Sequence, residues 1–456
     1  MEKISAINNI INGFVWGPYM LVLLIGTGVY MSIRTYFFQV KNFNIWAKLT
    51  YGSMFDKHEK GHNITPFQAV SVALASTIGI GSIAGIATAI VSGGPGALFW
   101  MVVSAFFGMM TKFSEVVLSV YFREKDENGI HYGGPMYYIE KGLKQKWLSI
   151  LFAIFASIAT FGAGNMTQSN AIAGLLRQTL KLPEYVSGII VAIIVALVLI
   201  GGIKRISSVS EKLVPFMATI YFIASIIILI INFKNMPSAI KLIVSEAFSL
   251  KSAASGITGY AIFIAMRYGI ARGVFSNEAG LGTAPIAHTA SNTNNPIKQG
   301  MWGIFEVFNT LIICLLTGLV IISSDLYLYG NTAADGAVLT SLAFKEAIGI
   351  IGEIVITISS ILFAFSTIIG WSYYGETCLG YLTKRNKIVI MSYKIIFIII
   401  IVIGATSDLK SVWAIADTFN GLMAIPNLIG VILLSPIVIT MVKKYLKNPI
   451  SVELEN

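Results

Sequence analysis

Apolar runs long enough to cross a lipid bilayer recur along this chain of 456 residues. "GIIVAIIVALVLIGG" (188–202) and "KIIFIIIIVIG" (394–404) are the cores of two of them. Lipid offers no partner to a backbone N–H or C=O, so each must find its partner within the protein. Several runs exceed the ~18 apolar residues that suggest a membrane-spanning helix. Composition agrees: 55% of residues are hydrophobic, 12% are charged, and mean hydropathy is +0.77, against roughly 25% charged in soluble domains. The expected class is an all-α polytopic membrane protein.

Eleven spans are expected: 14–33, 66–91, 97–121, 148–170, 186–203, 212–233, 257–290, 301–323, 354–381, 388–406 and 411–442. The start has no basic n-region or small-residue cleavage site, so 14–33 reads as a retained span rather than a signal peptide. With the N-terminus outside, the inward loops carry 20 of the 32 Lys and Arg, the outward loops 8, and the spans themselves four (Lys112, Arg267, Arg272, Lys394). This positive-inside bias explains the net charge of +10 without a nucleic-acid partner. It places the chain in the plasma membrane, N-terminus outside and C-terminus cytoplasmic. Cys314 and Cys378 lie within spans and read as small buried residues, with no metal-ligand spacing. Two outward segments carry helical patterning: 237–251 along the membrane surface, and a short helix within 324–353 that either forms an outer lid or merely connects.

Two spans are interrupted by glycine and polar residues near mid-depth. The second reads "STIGIGSIAG" (76–85) and the seventh "FSNEAGLGTAP" (275–285). Glycine costs ~1 kcal/mol in a helix interior and proline ~3 kcal/mol, and a break is tolerated only where protein or a wet cavity covers it. A dinucleotide fingerprint would need a preceding strand and a soluble βαβ unit, which are missing here. A packing stripe, Gly81-x-x-x-Gly85, is the plainer reading of the first break taken alone. The two breaks stand five spans apart, however. With 14–33 as an extra leading helix, spans 66–233 and 257–442 form two five-helix units of opposite orientation, each starting with a broken helix. Paired broken helices in an inverted repeat point to the midplane site of a transporter.

"FSNEAGLGTAPIAH" (275–288), "GGPGALFWMVVSAFFGMMTKFSE" (93–115) and "GNMTQSNAIAG" (164–174) strongly resemble the alanine or glycine:cation symporter family, over nearly the whole chain. The resemblance implies a LeuT-type superfold with one extra leading helix, sodium as the coupling ion and small neutral amino acids such as alanine and glycine as substrates. One departure stands out. The family usually reads Gly-Thr-Gly-Asn at the first break, where this chain has Gly79-Ile80-Gly81-Ser82.

An amino acid brings a carboxylate and an ammonium. The amides of Ile80 and Gly81, at the start of a half-helix, suit the carboxylate. Freed carbonyls such as that of Thr77 suit the ammonium or a cation, and Gly79 and Gly81 allow close approach. By analogy with the superfold, one sodium site joins the carbonyls of Ala75, Ile78 and Phe363 to the hydroxyls of Ser366 and Thr367. A mid-helix hydroxyl that merely bonds its own i−4 carbonyl is the plainer reading of the last two. A second sodium site would use Thr77, Ser82, Ser276 and Asn309. The family pattern makes Gln168 a substrate contact, with Phe275 and Trp371 walling the side-chain pocket and Ser276 beside it. Asn277, Glu278, Gly280 and Gly282 are expected to shape the second break, with Glu278 accepting backbone amides. Lys112 and Glu115 are expected to pair with each other, Arg267 and Arg272 to snorkel or find a carboxylate, and His288 to cap or pack. No catalytic constellation or ATP motif appears, so no enzyme is expected. The open alternatives are proton coupling, an amino-acid-binding channel or sensor, and a larger substrate such as glutamine.

Overall fold

The computed structural model describes residues 2–54, 63–127, 129–249, 260–324, 326 and 336–454. Lys57 and Lys60, the end of the surface segment at 250–251, the start of the seventh span at 257–259 and most of 325–335 lie outside the described residues.

The chain is helical almost throughout. The leading helix is bent: α1 (Glu2–Val15) ends at Trp16-Gly17, and α2 (Pro18–Arg34) starts on a proline that needs no amide partner. Two short helices come next, α3 (Phe38–Lys41) and α4 (Phe43–Ser53), which the span pattern did not foretell. Trp46 and Thr50 of α4 are buried while Phe43, Ile45 and Tyr51 are exposed. The second span is two helices, α5 (Pro66–Thr77) and α6 (Ala84–Gly93), around a single 3-10 turn at Ile80–Ser82. Thr65 and Gln68 form a reciprocal capping box that fixes where α5 starts.

The central post is α7 (Gly96–Tyr121), with a buried run from Gly108 to Val120. After a two-strand hairpin (Glu124–Lys125 with His131–Tyr132) come α8 (Pro135–Leu143), α9 (Lys146–Phe161) and α10 (Thr167–Leu180). A π-helical turn at Gly162–Met166 joins the last two, adding a residue to the span and rotating α10 relative to α9. Then α11 (Glu184–Leu199) and α12 (Gly202–Ile231) lead to α13 (Met236–Ala247), the expected surface helix. Its Ala239, Ile243 and Ala247, four residues apart, are buried. Trp100 Nε1 of α7 donates to the Ala247 carbonyl at 3.2 Å.

The seventh span is again two helices, α14 (Tyr260–Asn277) and α15 (Ala284–Thr289). Asn295 caps α16 (Pro296–Ser323) through the Lys298 amide at 3.1 Å. The helix α17 (Ala337–Leu382) turns at Ile348-Gly349, where Gly349 has φ +64°. Residues 337–347 are therefore the separate short helix expected in that loop. The chain ends with α18 (Lys387–Ala405) and α19 (Leu409–Lys447).

Eight helical segments among the described residues are long and apolar enough to cross a membrane: Ile10–Arg34, Gly96–Tyr121, Lys146–Leu180, Gly202–Ile231, Pro296–Ser323, Ala337–Leu382, Lys387–Ala405 and Val412–Lys447. Of the other three expected spans, α11 has 16 residues, and the two broken ones come in pieces of 12 and 10 residues and of 18 and 6 residues. Large apolar side chains on α11, α12 and α18, such as Ile193, Ile223 and Ile395, are exposed as befits a lipid-facing surface. α5, α6, α7, α15 and α16 are buried on most sides.

Candidate functional site

The first break is a short stretch of non-helical backbone. Ile78 (φ −80°, ψ +69°) ends α5, Gly79 is extended, and Ile83 (φ −113°, ψ −71°) opens α6. Local bonds hold the turn: Ser82 N donates to the Gly79 carbonyl at 3.0 Å and Ile83 N to the Ile80 carbonyl at 3.1 Å. Other helices complete it. Gln168 Oε1 accepts from the Ile80 amide at 3.2 Å, and Thr317 Oγ1 donates to the Ser82 carbonyl at 2.9 Å. Gln168 reaches this point because α10 starts on the π-helical turn, and its Nε2 donates to the Ala163 carbonyl at 3.0 Å. The glycines are required by crowding. A Cβ at Gly79 would overlap the Thr367 hydroxyl and crowd Gln168, and one at Gly81 would press on the Phe275 ring.

The second break faces the first. Ser276 Oγ lies 2.7 Å from Ser82 Oγ and 3.2 Å from Cys314 Sγ. Beyond it the chain runs through three left-handed residues, Glu278 (φ +53°), Gly280 (φ +95°) and Gly282 (φ +79°). A non-glycine residue there is strained, a feature that concentrates at functional sites. Asn277 Oδ1 accepts from Ala279 N at 2.9 Å. The expectation for Glu278 needs correcting: it accepts the Thr283 hydroxyl at 2.6 Å, while Glu115 of α7 takes the loop amide of Gly280 at 3.0 Å. Asn427 of α19 bonds both Glu115 and, at 2.9 Å, the Gly280 carbonyl.

Around Ala75 four of the oxygens expected at the first sodium site lie close together, those of Ala75, Phe363, Ser366 and Thr367. Ser366 and Thr367 hydroxyls each lie 3.0 Å from the Ala75 carbonyl, and 2.9 and 3.0 Å from the Phe363 carbonyl. The residues grouped as a second ion site do not all meet. Ser82 and Ser276 touch, but Thr77 Oγ1 bonds its own helix at the Ala73 carbonyl. Asn309 bonds the Phe305 carbonyl and faces Tyr51 of α4. It stands five residues from Cys314 on α16, so the two point to different faces.

A cavity of about 250 Å³ reaches the first break at Ile80. Ala84, Asn170, Arg272, Ala337 and Trp413 also line it. Phe275 stacks on Trp413 with ring centroids 4.9 Å apart, just behind the wall. Trp371 is elsewhere, buried against Gly164 and facing Glu278. Arg272 makes a two-pronged ion pair with Asp417, at 2.9 and 2.8 Å, beside the cavity. Arg267 lines an adjoining space of about 300 Å³ with Asn12, Trp16 and Asp417. The expected pairing of Lys112 with Glu115 is corrected: the ammonium lies 3.2 Å from Glu306, and His288 lies 2.9 Å from that carboxylate's other oxygen. Asn165 and Asn170 bridge to the α18 side through the carbonyls of Phe397 (2.7 Å) and Ser407 (2.7 Å).

Two broken helices facing each other inside a multi-span helical bundle, with a cavity leading to one of them, define a membrane transporter with a central site. The sequence profile of the sodium:alanine symporter family matches residues 1–454, and the chain belongs to that family. A sodium/alanine symporter, AgcS, of Methanococcus maripaludis is 44% identical over 451 residues, covering 98% of each chain. A probable sodium/glutamine symporter, GlnT, of Bacillus subtilis is 35% identical over 448 residues, covering 98% of this chain and 92% of its own. Among solved structures, a manganese transporter of Eremococcus coleocola superposes with a TM-score of 0.53 at 13% identity, over 85% of this chain and 81% of the other. That likeness concerns the fold, which is of the LeuT type. The protein is a multi-pass sodium-coupled amino-acid symporter, not an enzyme, and sodium is its coupling ion.

Proposed function

We propose that this symporter imports alanine and glycine by alternating access. The observation that carries the reading is the crowding at the first break. Gly79 and Gly81 have no space for a methyl group, and the adjoining cavity of about 250 Å³ is smaller than the ~300–1,000 Å³ typical of drug-sized ligand sites. The substrate carboxylate would sit at the amides of Ile80 and Gly81, where Gln168 Oε1 now supplies an acceptor. Its ammonium would lie near the Thr77 carbonyl. Ser82, Ser276 and Phe275 would enclose the side chain. In this reading Trp371 supports the second break rather than the pocket wall, because it faces Glu278.

Sodium would bind among the carbonyls of Ala75, Ile78 and Phe363 and the hydroxyls of Ser366 and Thr367. Oxygens of this kind can hold a hard cation without fixed charge. Its binding there joins α5 to α17, so ion occupancy and the position of the first break are linked. Any second ion would use Ser82 and Ser276 without Asn309, which faces away. The two halves, 66–233 and 257–442, would be inverted repeats, with the N-terminus outside and the C-terminus in the cytoplasm of a cell bounded by this plasma membrane. One sodium ion entering supplies ~2.3 kcal/mol per 100 mV, and a tenfold gradient adds ~1.4 kcal/mol. Together these would support roughly a 500-fold accumulation of substrate.

Proteoliposomes test the reading with labelled alanine, glycine and glutamine, each with and without an inward sodium gradient. Sodium-dependent accumulation of alanine and glycine is the expected result. Accumulation of glutamine alone would overturn the small-substrate assignment, and equilibration without accumulation would point to a channel or sensor. Uptake driven by a pH gradient in sodium-free buffer would replace sodium coupling by proton coupling.

A further inference from the structure

Behind the second break, α7, α16 and the 277–283 segment bury three carboxylates around one ammonium. Lys112, Glu115 and Glu306 are fully buried and Glu278 is 1% exposed. Lys112 is committed to Glu306 at 3.2 Å. His288 adds no positive charge as arranged: the Gln299 amide nitrogen lies 2.8 Å from its Nδ1, so Nδ1 accepts and Nε2–H donates to Glu306. Glu278 receives the Thr283 hydroxyl and faces Trp371. That leaves Glu115. One of its oxygens accepts from Gly280 N and Asn427 Nδ2, while the other, Oε2, is buried with no hydrogen-bond partner among the described residues. The further groups facing it are Lys112, one turn away on α7 and already held by Glu306, Tyr138 of α8, which donates to Asn427, and Glu306 across from α16. A buried carboxylate whose nearest cation is paired elsewhere, and which lacks a full set of donors, neutralises itself by taking a proton.

We propose that Glu115 is a proton-binding site, protonated in this conformation, whose occupancy is linked to the second break and makes sodium-driven transport pH-dependent. The step is a carboxylate taking H⁺ from water to become a neutral carboxyl. The neutral form leaves Lys112 with Glu306. When Glu115 gives its proton back to water, a full negative charge arises one helical turn from Lys112, within reach of the same ammonium. Lys112 is then drawn from Glu306 towards Glu115, and the bonds from Gly280 and Asn427 strengthen. Gly280 lies four residues from Ser276, which touches Ser82 of the first break, so the proton acts on the central site through this short segment.

Infrared difference spectroscopy of the purified full chain between neutral and alkaline pH reads this proton without any substrate. Wild type should lose the C=O stretch of a protonated carboxyl on alkalinisation, and Glu115→Gln should show no such loss. Glu306→Gln, which frees Lys112 for Glu115, should already weaken the band at neutral pH; it keeps the proposal testable if Glu115→Gln fails to fold. In proteoliposomes, the sodium-driven alanine uptake rate of wild type should change about tenfold per pH unit on the limiting side of its profile, and Glu115→Gln should flatten it. A band that persists in Glu115→Gln, its absence from wild type, or an unchanged pH profile in the variant would each overturn the proposal.

Discussion

At the scale of single residues, the sodium assignment makes a separable claim about Ser366 and Thr367. Both hydroxyls meet the Ala75 and Phe363 carbonyls; removing them takes two oxygens from the ion without touching the amides of Ile80 and Gly81. Ser366→Ala with Thr367→Ala should raise the sodium concentration for half-maximal uptake at least tenfold while leaving the preference between alanine and glycine unchanged, as measured by competition uptake. Unaltered sodium activation would remove the pair from the ion site. Gly81→Ala is the complementary case, because its methyl would meet the Phe275 ring. Substrate affinity should fall by more than tenfold with sodium activation retained, as read by titrating uptake in both solutes. The sequence made such residues visible because glycine clusters and paired hydroxyls are improbable inside a span. It did not reveal partners across helices. Lys112 and Glu115 share a helix face, yet Glu306 on another helix takes the lysine; Asn309 sits in an expected span but on the wrong face of it. Periodicity reports which face is apolar, not which neighbour covers it.

At the scale of elements, the non-spanning end of the molecule is fastened by a small latch. Ile64 and Ser291 form an isolated bridge, with Asn292 N on the Ile64 carbonyl at 2.8 Å. Arg123 donates to the Ser291 carbonyl at 3.1 Å and to Asn294 at 2.8 Å. His131 Nδ1–H donates to the same Ser291 carbonyl at 3.0 Å. Burial, with Arg123 nearby, holds the His131 imidazole at about 4, well below its ordinary 6.5. On acidification the opened segment takes the proton first, so the latch is fully stable above about pH 6.5 and weakens as pH falls towards 4. Hydrogen exchange at the Ile64 and Asn292 amides, corrected for intrinsic rate, should show protection falling between about pH 7 and about pH 5. His131→Gln, which keeps a donor, should remove that pH dependence, and protection that stays constant in wild type would refute the assignment. The elements themselves were largely legible: both breaks, the surface helix at Met236–Ala247 and the short helix before Gly349 come from glycine placement and helical spacing. The π-helical turn at Gly162–Met166 and the bend at Trp16-Gly17 were not, because they are set by the packing of neighbouring helices.

At the scale of the whole molecule, alternating access needs one side of the central site to part while the other holds, and the two sides are fastened unequally. Away from the cavity, the latch is backed by the chain's end: Leu454 N donates to the Asn294 carbonyl at 2.8 Å, Asn295 Nδ2 to the Pro449 carbonyl at 3.0 Å, and Lys298 lies 3.7 Å from Glu453. Beside the cavity, α14 is tied to α19 by the Phe275–Trp413 ring contact and by the Arg272–Asp417 pair, with the guanidinium 4.9 Å from the Trp413 ring centroid. Its side chains remain 11% and 16% exposed, so water can replace the pair at lower cost than in a dry interior. The cavity side should therefore open first. A coupled charge pair of this kind is worth ~0.5–3 kcal/mol, and losing ~1–3 kcal/mol shifts an open–closed equilibrium about 5–150-fold. Thr88 lines the cavity, and the native Cys314 and Cys378 are buried. In a Thr88→Cys background, Asp417→Asn should speed labelling by a membrane-impermeant thiol reagent at least fivefold. Exchanging the charges, Arg272→Asp with Asp417→Arg, should bring the rate back towards that of the background. If labelling is equally fast with and without the pair, Arg272 and Asp417 do not hold this side shut, and the unequal fastening of the two ends does not set which one opens.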